Sequence, residues 1–196
     1  MRRITMLVVC ILALAFCAGS AMASTAVPPP ADTLKVDYFS NANTAGAPDG
    51  TVRLTNPGTY ATGNGNIYAA IYVFDSNQEL SECCECLLTP DGLTVLSVNS
   101  DLTSNPLTGV TLATGVIKVV STTGANPARL VPTPAIRSWG THIQNSNFAV
   151  TETASQDATL SSTEVTRLDQ ECSALQLDGS GHGLCAVNNL ICIDGN

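Results

Sequence analysis

Three cysteines stand within four residues in "SECCECLL" (81–88), and Cys172, Cys185 and Cys192 follow near the C-terminus. A chain with that arrangement is tied to itself, holds a metal, or runs thiol chemistry. Which of these applies depends first on the compartment.

The opening "MRRITMLVVCILALAFCAGSAMAS" has the parts of a secretory signal. Arg2 and Arg3 form a basic end, an apolar run extends from Ile4 to Ala18, and "AMA" ends at Ala23. Cleavage is expected before Ser24. The apolar run is short for a membrane span and no stop-transfer charges follow it, so contact with the membrane is expected only during export. Phe16 before Cys17 does not suit a lipoprotein site. Removing residues 1–23 takes Cys10 and Cys17 with them and leaves six cysteines in 173 residues. Localisation is expected to be secreted, whether periplasmic, cell-surface or extracellular.

In such a compartment nothing keeps thiols reduced, so an even cysteine count predicts disulfides. Cys83, Cys84, Cys86, Cys172, Cys185 and Cys192 are the expected half-cystines. If 80–88 is a strand, Cys84 and Cys86 share one face, with Cys83 and Glu85 opposite. A helix carrying Cys172 can cover one face alone, and the expected bridge runs from Cys172 to Cys84 or Cys86. At least one of Cys185 and Cys192 then ties the tail to the same segment.

A zinc site is the alternative. Cys83-x-x-Cys86 with His182-x-x-Cys185 offers three thiolates and an imidazole, a tetrahedral donor set. Cys84 and the two remaining cysteines fit no four-ligand plan, and oxidation competes for every thiolate. No cofactor is therefore expected unless it is zinc. Thiol redox catalysis is disfavoured, because Glu82 and Glu85 flank the cysteines and oppose thiolate formation. Covalent haem attachment fails because Leu87, not histidine, follows Cys86.

Apart from the cysteines, the chain reads as β-structure. The Pro-rich leader 24–33 is extended, and a single domain is expected over 34–196. Strands are predicted at "LKVDYF" (34–39), "TVRLTNPG" (51–58), "NIYAAIYVFD" (66–75), 80–88, "LTVLSV" (93–98), "GVIKVVS" (115–121), "AIRSWGTHIQ" (135–144) and "NFAVTET" (147–153). The 66–75 segment is apolar on both sides, which suits a strand covered on two faces, or one that pairs between subunits. "TPDG" (89–92) makes a tight turn. One helix is expected near 162–175: Ser161 and Glu164 form a capping box, and Val165, Leu168, Cys172 and Leu175 share a face. The fold class predicted is mainly β, a two-sheet β-sandwich with one covering C-terminal α-helix and disulfide cross-links.

The charge pattern excludes nucleic acid as a partner. All sixteen acidic residues but only six of the eight basic ones follow the signal, so the exported chain carries a formal charge of −10. Signatures of catalysis are missing: "GSGHG" (179–183) is no nucleophile elbow, and "GNGNIY" and "GSGHGL" miss the dinucleotide pattern. His142 and His182 alone could serve as a general base, and His142 reads as a packed or surface residue in its strand. Trp139 could stack a sugar ring but reads as core. The acidic groups of "DSNQELSE" (75–82) and "LDGSG" (177–181) read as solvated turns.

"ECCEC…TPDGL" together with "GSGHGLC" resembles a set of uncharacterised exported bacterial proteins rich in cysteine. The resemblance implies export and disulfides and no catalytic activity; "CAVNNLIC" stands here in place of a second C-x-x-C in the tail. The expected role is non-enzymatic, a structural or binding module of the cell envelope or extracellular space. A protein partner, a glycan, or self-assembly into an extracellular assembly or filament would supply the contact.

Overall fold

The computed structural model describes residues 31–60, 62–103, 110–177 and 192–193, the last pair by backbone alone. The signal segment, most of the leader, His182 and Cys185 lie outside the described residues. Among the described residues the chain forms two sheets and one long helix. Strands β1 (Leu34–Phe39), β3 (Ile67–Asp75), β4 (Leu80–Leu88), β6 (Gly115–Thr122), β9 (Gln156–Ala158) and β10 (Cys192–Ile193) make one sheet, in the order β10-β4-β3-β6-β1-β9. Strands β2 (Thr51–Thr55), β5 (Leu93–Ser97), β7 (Arg137–Gln144) and β8 (Ala149–Ala154) make the other, ordered β5-β2-β7-β8. All pairings are antiparallel except β10 on β4. Helix α1 (Ser162–Leu177) covers the outer face of the larger sheet.

Strand β3 organises the molecule. It lies between β4 and β6, so both its edges are paired within the chain and it is not free to pair between subunits. Ile67, Ala69, Ile71 and Val73 face the second sheet and share a core with Leu88 and Ile117 of neighbouring strands and with Leu54, Leu96 and Ile136. Ala70, Tyr72 and Phe74 face the helix and pack with Val120, Leu168 and Cys172. Alternate side chains of a strand point to opposite faces, so a strand apolar on both sides must be sandwiched. Each fully buried side chain of this size stabilises the fold by about 1.5–3 kcal/mol.

The helix begins where the capping box predicted. Ser161 Oγ accepts from the Glu164 N–H at 3.1 Å, satisfying an otherwise unpaired donor of the first turn. The Glu164 carboxylate does not reach back to complete the box. It pairs instead with Lys118 of β6 at 2.6 Å and with Arg167 one turn on. Those hydrogen bonds, Arg167's first, hold the Glu164 carboxyl down to about 2 against the cost of its burial. Leu168 and Cys172 are fully buried beneath the helix, flanked by the partly buried Val165 and Leu175.

Strand β4 carries the cysteines in alternation. Cys84 and Cys86 join the core between the sheets, and Cys83 faces the helix. Cys172 is bonded to Cys83, with the Cα atoms 5.8 Å apart. The expected pairing of Cys172 with Cys84 or Cys86 is therefore corrected. Cys83 lies opposite Tyr72 in the register and shares its side of the sheet, which is the side the helix covers; the Cys84 side is filled by the second sheet. The bridge links residues 89 apart in sequence and by the chain-entropy account contributes ~4–5 kcal/mol.

The remaining strands lie where the sequence placed them, with shifted ends: β2 stops at Thr55 and β7 starts at Arg137. Strand β9 and a π-helical turn at Val98–Leu102 were not foreseen. Thr89 O accepts from Gly92 N–H at 2.9 Å, closing the predicted turn.

Candidate functional site

The cysteine segment is built as a staple. Cys83, Cys84 and Cys86 are all buried and all disulfide-bonded, Cys83 to Cys172. Cys83 and Cys86 sit on opposite faces of β4, so the two sulfurs of the C-x-x-C spacing do not converge on one ion. His182 and Cys185 of the zinc alternative are outside the described residues, and no cluster of metal-ligating side chains occurs among the described ones. The backbone of Cys192 pairs with that of Cys86 in parallel register, which brings the tail to the edge of the cysteine strand.

The glutamates between these cysteines are not solvated. Glu82 is only 2 % exposed, and neither carboxyl oxygen has a hydrogen-bond partner. Burial, with a smaller contribution from Asp101, pushes its carboxyl up to about 9. Glu85, on the helix side of the strand, is raised to about 7 by burial. The reading of 75–82 as a solvated turn is thus corrected at Glu82, which the strand pairing of Val73 with Glu82 turns toward the sheet interior.

A second polar group occupies the opposite end of the sandwich. Strand β1 points Lys35, Asp37 and Phe39 toward the smaller sheet, and of these only Phe39 enters the apolar core. Lys35 Nζ binds Asp32 and Asp157, each at 2.7 Å. Asp37, 8 % exposed, faces Ser138, Gly140 and His142, which alternate along the inner side of β7. Gly140 has no side chain for a concrete reason: a Cβ there would run into the Asp37 carboxylate.

Hydrogen bonds connect the group. Ser155 Oγ donates to Asp37 Oδ2 at 2.7 Å, and the Ser138 hydroxyl lies 2.9 Å from that of Ser155. His142 Nδ1 donates to the Tyr38 carbonyl at 3.2 Å, while Nε2 is 2.9 Å from Thr153 Oγ1 and 3.4 Å from Asp37 Oδ1. The Tyr38 N–H donates to Asp37 Oδ1 at 2.8 Å. Register explains the arrangement. Strand β9 pairs with β1 only as far as Val36, so the next backbone groups on that edge, the N–H and C=O of Tyr38, have no strand to meet. Asp37 and His142 take the place of the missing strand. The Tyr38 ring stacks on the imidazole, with centroids 4.2 Å apart.

Where β9 ends there is also a cavity of about 270 Å³, lined by Val36, Asp37, Tyr38, Val116, His142 and the 153–156 crossing from β8 to β9. His142 thus lies beside a carboxylate and hydroxyls, but not as a catalytic triad. The carboxylate and the Thr153 hydroxyl approach the same ring nitrogen, and the other nitrogen is held by a backbone carbonyl. The sequence singled out His142, as a packed or surface residue of its strand. Asp37 had a signal only in the charged inner row of "LKVDYF", and Thr153 and Ser155 had none.

Trp139 is not core. It alternates with the inward residues of β7, so it lies part-buried on the outer face of the smaller sheet, opposite Arg53 and Ala154 in the register. Arg53 is ion-paired to Glu152 on that face.

No protein-family model matches the chain, and no match is found among curated proteins. Among solved structures, one titled "Crystal Structure of Thermotoga maritima 1070" is similar at 10% identity and a TM-score of 0.39, over 66% of this chain and 97% of that one. At that score the similarity bears on neither fold nor function.

Proposed function

We propose that the protein is an exported, disulfide-stabilised module of the cell envelope or extracellular space, with a structural or binding role rather than a catalytic one. The observation that carries this reading is the state of the cysteine strand. Cys83, Cys84 and Cys86 are buried and oxidised, and Cys83 bridges to the helix across 89 residues. Such bonds persist where thiols are not kept reduced, which agrees with the secretory features of residues 1–23.

The histidine site supports the non-catalytic half. A general base needs a ring nitrogen within reach of a substrate proton. Both nitrogens of His142 are engaged inside the protein, and the residue is 4 % exposed.

The test is intact mass, before and after reduction, with elemental analysis on protein recovered from its native compartment. Material beginning at Ser24, with no titratable thiol and no stoichiometric zinc, is expected. Recovery from the cytosol with the leader attached and free thiols would refute the proposal.

A further inference from the structure

The cavity at the end of β9 has a chemistry that the hydrogen-bond network does not use up. Asp37 is among the residues that line it, and neither lysine nor arginine is. The nearest buried cation on the same strand, Lys35, is occupied by Asp32 and Asp157. A carboxylate offers about four acceptor positions on its two oxygens. The Tyr38 N–H takes one on Oδ1, which His142 Nε2 also approaches at 3.4 Å, and the Ser155 hydroxyl takes one on Oδ2, so acceptor capacity remains on Asp37. His142 Nδ1 is engaged by the Tyr38 carbonyl, and its Nε2 lies 2.9 Å from Thr153 Oγ1 and 3.4 Å from Asp37 Oδ1. The walls are apolar at Val36, Val116 and Ala154, and Tyr38, 47 % exposed, stands at the rim.

An acidic residue among apolar lining residues selects a positive head on an apolar stem. We propose that this cavity binds a small organic cation, an alkylammonium group donating to Asp37 with its stem against Val36 and Val116. The charge of −10 on the exported chain favours approach of such a ligand. Neutral alcohols gain the apolar contact without the charge-assisted hydrogen bond, and carboxylates are repelled by Asp37. The volume of about 270 Å³ suits a chain of a few carbons rather than a polymer. The proposal deepens the binding reading above and rests on it, and its test is independent of export.

The oxidised full chain is titrated with n-butylammonium chloride, 1-butanol and sodium butyrate at matched ionic strength, following the His142 and Tyr38 ring protons by NMR. Saturable shifts with butylammonium are expected, with butanol and butyrate weaker by about tenfold or more. Asp37→Asn, its fold checked by circular dichroism, is expected to lose the ammonium response. Nα-acetyl-lysine amide separates the sources of the group: a response equal to butylammonium extends the site to lysine side chains, and none restricts it to free amines. Equal responses to all three butyl probes, or none that saturates, would overturn the proposal, and this comparison decides even if Asp37→Asn does not fold. An unchanged ammonium response in folded Asp37→Asn would overturn it as well. Failure here leaves the export reading to its own mass measurement.

Discussion

Replacing Glu82 by glutamine should change how stability depends on pH more than it changes stability at any one pH. In the folded protein the Glu82 carboxyl is raised from 4.5 to about 9, mainly by burial and then by Asp101. Between those two values the unfolded chain has released the proton and the folded chain still holds it. Stability contributed by this group is therefore greatest below pH 4.5, falls by about 1.4 kcal/mol per pH unit above it, and levels off near pH 9. At pH 7 the accumulated penalty is about 3 kcal/mol, a large part of the stability of a small domain. Glutamine has nearly the same shape and does not titrate. Its own buried amide costs something, but that cost is the same at every pH. Denaturant unfolding of the oxidised proteins, followed by Trp139 fluorescence at pH 5, 6, 7 and 8, measures the difference. Glu85, raised to about 7, contributes to both proteins alike and cancels. The gap between Glu82→Gln and the parent should widen in favour of the variant as pH rises. Parallel profiles would show that Glu82 is ionised in the folded state and that the burial argument is wrong.

Cys83→Ser should cost ~4–5 kcal/mol in the same unfolding assay, and adding Cys172→Ser should cost little more, since the two act through one bridge. Gly140→Ala should lower stability by about 1–3 kcal/mol, because the new methyl group meets the Asp37 carboxylate; a urea midpoint unchanged from the parent would contradict that packing.

Strands and cysteines were legible for different reasons. A period of two with turn residues between the runs marks a strand whatever lies above it, so β1, β3 and β6 appear in the sequence nearly at their true ends. The serine cap and the apolar stripe of Leu168 and Cys172 likewise fix a helix locally. The fold class followed, because a strand apolar on both faces and a helix apolar on one have few ways to bury them.

The polar cluster was not legible, because its members are far apart in the chain. Asp37 meets His142 and Ser155 only because β8 crosses from one sheet to the other, and nothing local to "LKVDYF" shows where that crossing ends. Trp139 was placed on the wrong side for a related reason: a strand has two faces, and composition alone does not say which is inside.

The sequence by itself determined which residues share a face and how the cysteines alternate along β4, because backbone geometry sets both. Only the tertiary structure decided that the helix lies over the Cys83 face, that Glu82 is sealed away from water, and that Asp37 has a histidine beside it. Those outcomes depend on which layer covers which face, and contacts between residues distant in the chain settle that.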